Sequence, residues 1–218
     1  MEHNFWHERW KMNQIGFHRD EIHPHLQQYG SKLGIKSGGR VFVPMCGKTN
    51  DMLWLLKQGF QVLGIELSPL AVAAFFAEND LQANIRQQGE FLSYEIEGLQ
   101  VLCGDFFALQ LDDVGEIDAV YDRGALVALP AQMRLDYVAK MAQLLKSDVN
   151  ILLIALNYPQ VEMSGPPFSL PPTEIARLYQ AWCEIDLLAN EDVLAQEAAL
   201  QKRGLTQLHE QVYRLVVK

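Results

Sequence analysis

A glutamate, Glu66, stands 19 residues beyond Gly47, in a stretch that reads strand, turn, helix, strand, acid. A carboxylate about 20 residues past a glycine turn, at the end of the second strand of a βαβ unit, is placed to accept hydrogen bonds from ribose hydroxyls. The turn Met45-Cys46-Gly47-Lys48-Thr49 narrows the ligand further. Gly47-Lys48-Thr49 imitates the end of a phosphate-binding P-loop, but that motif needs another glycine five residues earlier, where this chain has Phe42. A dinucleotide site needs a run of glycines so that backbone can approach a pyrophosphate, and here Gly47 stands beside bulky Met45. The pattern therefore suits a nucleoside ligand without phosphates. An ordinary crossover with no ligand shares the same spacing and stays open.

Other residues offer chemistry of their own. Asp105, in Gly104-Asp105-Phe106, follows an apolar run and reads either as a ligand-facing acid or as a turn cap. Asp122-Arg123 follows another such run, and on sequence alone is a solvated ion pair. Cys46 has no evident histidine partner, so a covalent nucleophile is not indicated. Cys46, Cys103 and Cys183 are odd in number and far apart, which points to neither a disulfide framework nor a zinc site. His18, His23 and His25 lack the spacing of metal ligands and read as surface histidines. Trp6 and Trp10, four apart, share a helical face that fits an amphipathic helix docked on the core.

The elements that must position these residues form an alternating series. Arg40–Pro44 is a short apolar strand, Asn50-Asp51 opens a helix with Met52, Leu53, Leu55 and Leu56 on one face, and Gln61–Ile65 is a second strand ending at Glu66. Before them, Pro24–Leu33 reads as a short helix burying Leu26, Tyr29 and Leu33. Ser68 with Pro69 behind it caps a helix that runs to about Asn79. Phe91–Ile96 and Leu99–Cys103 form a hairpin across Glu97-Gly98. Ile117–Tyr121 and Asn150–Leu156 are strands on either side of a helix from Ala131 to Lys146, and the strands near Cys183–Leu188 and Val212–Val217 finish the sheet. The four prolines of Gly165–Pro172 stiffen a loop that can wall a flat substrate.

Pro44–Met52 followed by Val62–Ser68 resembles the thiopurine S-methyltransferase family, a group of class I enzymes that use S-adenosylmethionine. The resemblance takes in Trp6–Trp10, Gly16–His18, Phe75–Glu78, Tyr121–Leu126 and Gly165–Phe168, and looks like the bacterial branch. Met45 and Thr49 replace the family's usual leucine and serine, with shape or chemistry nearly conserved. It implies a single domain, residues 1–218, with residues 1–35 as a helical lid segment over a doubly wound, mostly parallel seven-stranded α/β sheet with helices on both faces and the last strand antiparallel. It also implies a cofactor site from Trp10, Met45, Gly47, Glu66, Asp105, Phe106 and Arg123. Trp10 then lies against the methionine end, where an aromatic face suits a sulfonium, Asp105 meets the adenine amino group, and Phe106 packs on the base. Arg123 positions the acceptor, with Asp122 orienting it.

The expected reaction is direct in-line transfer of a methyl group from S-adenosylmethionine, leaving S-adenosylhomocysteine, to the sulfur of an aromatic or heterocyclic thiol. Selenium, tellurium or other small thiol compounds are the alternative acceptors, and an oxidoreductase on the same framework is disfavoured by the missing glycines. A net charge of −9 disfavours nucleic acid, whose binding rests on Lys and Arg. No run approaches the roughly 18 apolar residues of a membrane span, and the amino terminus has no apolar signal region. The chain is expected to be cytoplasmic and monomeric, without metal, acting on a small molecule.

Overall fold

Two buried strands with continuous apolar runs, β1 (Arg40–Val43) and β2 (Gln61–Glu66), lie side by side at the centre of the first of two compact units. The computed structural model describes residues 3–218, and the division falls between Tyr121 and Asp122. In chain order the first unit begins with α1 (His3–Lys11) and α2 (Pro24–Tyr29), which a 3-10 turn extends to Leu33. Helix α3 (Asp51–Lys57) connects β1 to β2, and α4 (Pro69–Glu78) follows β2. Then come β3 (Asn84–Gln88), β4 (Phe91–Ile96), β5 (Leu99–Cys103), the short α5 (Leu111–Val114) and β6 (Ala119–Arg123), which runs through the division.

Strand β1 pairs in parallel with β2 and with β6, and β2 pairs in parallel with β5, placing Glu66 opposite Cys103. Strands β4 and β3 add antiparallel ladders beyond β5. Val41, Phe42, Leu63, Ile65, Leu102 and Val120 are buried, as expected of parallel strands covered on both faces. Gly64 is required by packing. A Cβ there would lie 2.9 Å from Cys46 Sγ and 3.1 Å from Met52 Sδ, so its absence lets the turn after β1 settle on β2.

In the second unit, α6 (Ala131–Leu144) precedes β7 (Asn150–Asn157), and α7 (Pro172–Tyr179), β8 (Cys183–Asp192), α8 (Ala198–Lys202) and β9 (His209–Val217) follow. Strand β9 is antiparallel to both β7 and β8, as expected of the last strand. Tyr158, Met163, Leu205 and Leu208 form a small buried cluster beneath the loops.

The architecture is α/β, with nine strands among the described residues where seven are expected. The hairpin arm β4 and a further strand, β3, account for the excess. Strand β3 reads Asn-Ile-Arg-Gln-Gln and is largely exposed, so it carries none of the apolar alternation that marks a half-buried strand. The expected helix over Pro24–Leu33 buries Leu26 and Leu33 but changes to 3-10 geometry at Gly30. His23 and His25, expected at the surface, are 2% and 5% exposed. The His23 backbone N–H donates to Asp51 and its ring Nδ1 accepts from the His25 N–H, which draws both inward.

Candidate active site

In the first unit, the carboxyl ends of β1, β2 and β5 deliver the turn after Pro44, Glu66, and Gly104-Asp105-Phe106. The turn is tied to β2 by the Cys46 N–H, which donates to the Ile65 carbonyl at 2.9 Å. Met45 and Gly47 both take positive φ, 46° and 56°. For Gly47 that conformation is unstrained, and it turns the N–H toward Glu66. Glu66 Oε2 accepts from the Gly47 N–H at 2.9 Å, and Oε1 accepts from the Ser68 N–H at 2.7 Å. One carboxylate thus joins the turn after β1 to the start of α4, where Ser68 Oγ caps the Ala71 N–H at 3.4 Å.

Glu66 is 6% exposed, and no cationic side chain among the described residues pairs with it. Burial pushes its pKa up to about 7, while the Ser68 and Gly47 N–H groups pull the other way. The neighbouring thiols respond in the same sense. Burial, then the Glu66 charge, raises Cys46 well above the ordinary thiol range and Cys103 to about 11. A thiol held protonated is a poor nucleophile, in keeping with the sequence reading of Cys46.

Helix α1 lies over this turn. A Cβ on Gly47 would approach the Trp10 ring to 3.3 Å, a tight contact, and the φ there favours glycine. Trp10 and Trp6 pack edge-on against Phe17, with ring centroids at 5.6 and 5.7 Å, and α1 itself has no buried residue. The two tryptophans pair with Phe17 of their own segment, and α1 also packs on α4. His3 Nε2 lies 3.2 Å from Asp105 Oδ2, and Asp105 Oδ1 accepts from the Phe107 N–H at 2.9 Å. Asp105 is a turn cap here, with its second oxygen turned to α1. Phe106, expected to pack on a base, is 2% exposed and stacks on Phe42 with centroids at 6.4 Å. Its ring is core in this structure.

The structure thus gathers Trp10, Met45, Gly47, Glu66 and Asp105 around the strand ends of the first unit. Arg123 belongs to the second unit, as the last residue of β6. The strand starts and ends two residues later than the sequence suggests, which moves Arg123 from a loop onto the strand end. Asp122 is buried; its Oδ2 accepts from the Tyr137 hydroxyl at 2.7 Å and its Oδ1 from the Leu126 N–H at 3.3 Å. Burial lifts its pKa to about 6, offset in part by those donors. In the proline-rich loop, the Phe168 N–H donates to the Val127 carbonyl at 2.7 Å, the Tyr158 hydroxyl to the Pro167 carbonyl at 2.6 Å, and Arg134 lies 5.7 Å from the Phe168 ring centroid. Arg134 and Tyr137 carry no sequence signal beyond helical periodicity.

The fold and the family matched over residues 1–218 make this chain a class I, Rossmann-like methyltransferase dependent on S-adenosylmethionine. In fold the chain is similar to the 1,6-didemethyltoxoflavin N1-methyltransferase of Burkholderia thailandensis, solved with bound 1,6-didemethyltoxoflavin and S-adenosylhomocysteine. The TM-score is 0.64 at 17% identity, over 99% of this chain and 87% of that one. The model of the thiopurine S-methyltransferase family matches residues 1–218. A thiopurine S-methyltransferase of Nitrosospira multiformis is 45% identical over 218 residues, covering 100% of this chain and 99% of that protein. One from Pseudomonas aeruginosa is 46% identical over 215 residues, with 99% of each covered. The chain belongs to the thiopurine S-methyltransferase family.

Proposed function

We propose that this methyltransferase moves the methyl group of S-adenosylmethionine directly, in line, to the sulfur of an aromatic or heterocyclic thiol. The observation that carries the reading is the Glu66 carboxylate, buried and tied to the Gly47 turn within a chain matched over its whole length by the family. Glu66 would hold the ribose hydroxyls, Met45 and Gly47 would line the methionine portion, and Asp105 would meet the adenine amino group once released from His3. Trp10 would face the sulfonium, and Arg123 would hold the acceptor. Bound there, the cofactor supplies an already activated methyl group.

The protein's own task is then to orient the acceptor and exclude water. An aromatic thiol ionises near neutrality, so no general base is required of the chain. We read residues 1–218, matched by one family model, as one functional domain with residues 1–35 as its lid. The free cysteines suit a reducing cytoplasm, the charge of −9 argues against nucleic acid, and we read the chain as a monomer. No helix among the described residues is long and apolar enough to cross a membrane. The reading is tested by a methyl-transfer screen over aromatic thiols, aliphatic thiols, and selenium and tellurium oxyanions. Turnover confined to the oxyanions would overturn the thiol assignment.

Two results are expected at Glu66. Glu66→Ala should weaken S-adenosylhomocysteine about ten- to a hundredfold, the effect of losing hydrogen bonds to a charged acceptor. Unchanged affinity by calorimetry would remove the ribose role. The second result is a pH dependence. Ribose hydroxyls donate, so binding favours the ionised carboxylate, and with a pKa of about 7 that form declines as the pH falls. Affinity should be level above about pH 7.5 and drop towards tenfold per unit below the pKa. Cys46 and Cys103 stay protonated across that range. The slope should vanish in Glu66→Gln; a level wild-type profile from pH 5.5 to 8.5 would contradict the assignment.

A further inference from the structure

The segment from α1 to α2 folds back on α1 before it reaches the body of the first unit. The Gln14 N–H donates to the Arg9 carbonyl at 2.8 Å, Arg9 Nη1 donates to Gln14 Oε1 at 2.9 Å, and Phe17 packs on both tryptophans. Helix and segment therefore form one piece. That piece meets the body through α1, at Asp105, the Gly47 turn and α4, and its return segment is bonded to the body at Asp20 and His23. Asn50 Nδ2 donates to the Asp20 carbonyl at 2.9 Å, and the His23 N–H donates to Asp51 Oδ1 at 2.8 Å.

Both body residues are themselves held. Asn79 Nδ2 donates to Asn50 Oδ1 at 3.1 Å and to the Phe75 carbonyl at 2.8 Å, which fixes the Asn50 amide with its donors towards Asp20. The Tyr121 hydroxyl donates to Asp51 Oδ2 at 2.9 Å, and Asp51 is 1% exposed. A side chain opening a helix is ordinarily a cap for its N–H groups, but the Asn50 side chain makes no cap bond. It is turned outward to another segment's backbone.

We propose that Asn50 and Asp51 are positioning residues: a latch that holds the α1 segment over the Gly47 turn. They follow that turn directly in the chain, so the group that shapes the cofactor loop and the group that seats the lid are one short stretch. The latch deepens the methyltransferase reading and rests on α1 being a lid over the cofactor. It touches no reacting atom. Its effect is on how long the lid stays down, and so on the residence of the cofactor beneath it.

Two isosteric variants separate the latch from general stability. In Asn50→Asp an oxygen faces the Asp20 carbonyl where a donor stood, so the latch should open. In Asp51→Asn the amide oxygen still accepts from the His23 N–H, and its Nδ2 can donate to Tyr121, whose hydroxyl can turn to accept. Peptide-resolved hydrogen exchange of residues 10–23 in the unliganded protein should be about tenfold faster in Asn50→Asp and within about threefold of wild type in Asp51→Asn. S-adenosylhomocysteine dissociation, followed by stopped flow, should accelerate with the same ranking. Wild-type exchange and dissociation in Asn50→Asp would overturn the latch. So would faster exchange spread over β1 and β2, or equal loosening in both variants, which would make the loosening indifferent to the donor at Asn50. If wild type binds no S-adenosylhomocysteine, the methyltransferase reading fails while the exchange comparison still decides the latch.

Discussion

Removing the first 12 residues should abolish methyl transfer while leaving most of the melting temperature of the unliganded protein in place. Helix α1 has no buried residue, and its tryptophans pack on Phe17 of the neighbouring segment rather than on the strands. What the fold loses on deletion is the ring packing on Phe17, surface contacts of α1 with α4 and the Gly47 turn, and the half-exposed His3 to Asp105 pair, which is worth little. A cost of about 1–2 kcal/mol in a chain of this size moves the melting temperature by only about 2–8 °C. The functional loss is of another order. With Trp10 gone, the turn that shapes the cofactor site is open to water, and precise orientation and water exclusion together carry many kcal/mol of a transfer reaction. Turnover should fall by more than about a hundredfold, with S-adenosylhomocysteine bound measurably more weakly. The measurements are a thermal melt without ligand and a rate under saturating cofactor. A truncated chain that does not fold would make the tryptophans structural, and one that turns over at the wild-type rate would leave the site without a lid.

The elements around the turn were legible because each obeys a local rule. Strand β1 begins at Arg40 and β2 ends at Glu66 as the apolar runs require, and Ser68 caps α4 with Pro69 behind it. The place of Glu66 at the carboxyl end of β2 was legible from the apolar run before it. The failures have physical causes too. Strand β3 is an edge strand held by backbone pairing to β4, so its side chains are under no demand to be apolar. His23 and His25 read as surface residues by type, but local hydrogen bonds and packing on the body bury them. Phe106 is core because the strand end leads its ring onto Phe42, and nothing in the order Asp-Phe-Phe says which phenylalanine turns inward. Asn50 and Asp51 look like any helix start, because their partners, Asp20, His23 and Tyr121, lie 30, 28 and 70 residues away. Long-range bonds of this kind leave no periodic trace.

Arg123→Lys should lower turnover with an aromatic thiol by about a hundredfold while changing S-adenosylhomocysteine affinity by less than about threefold. Arg123 ends β6, and the residue before it is fixed: the Tyr137 hydroxyl and the Leu126 N–H both donate to the buried Asp122 carboxylate. The backbone carrying Arg123 is therefore set by the loop and by α6, whatever the substitution does to the side chain. That makes the variant a test of the guanidinium rather than of the fold. A guanidinium is planar, keeps its charge and offers a fork of donors, which matches the edge of a heterocyclic thiolate at two points. An ammonium offers one compact charge on a flexible stem and matches it at one. If the fork aligns the sulfur with the methyl carbon, its loss is felt in the transition state more than in the ground state, and so in kcat more than in cofactor binding. Steady-state kinetics and calorimetry on the same preparation give the two numbers. Equal losses in both would make Arg123 a cofactor-holding residue. No loss in either would return it to the bland reading of a solvated cation, and the acceptor would then have to be sought along the loop that carries Phe168.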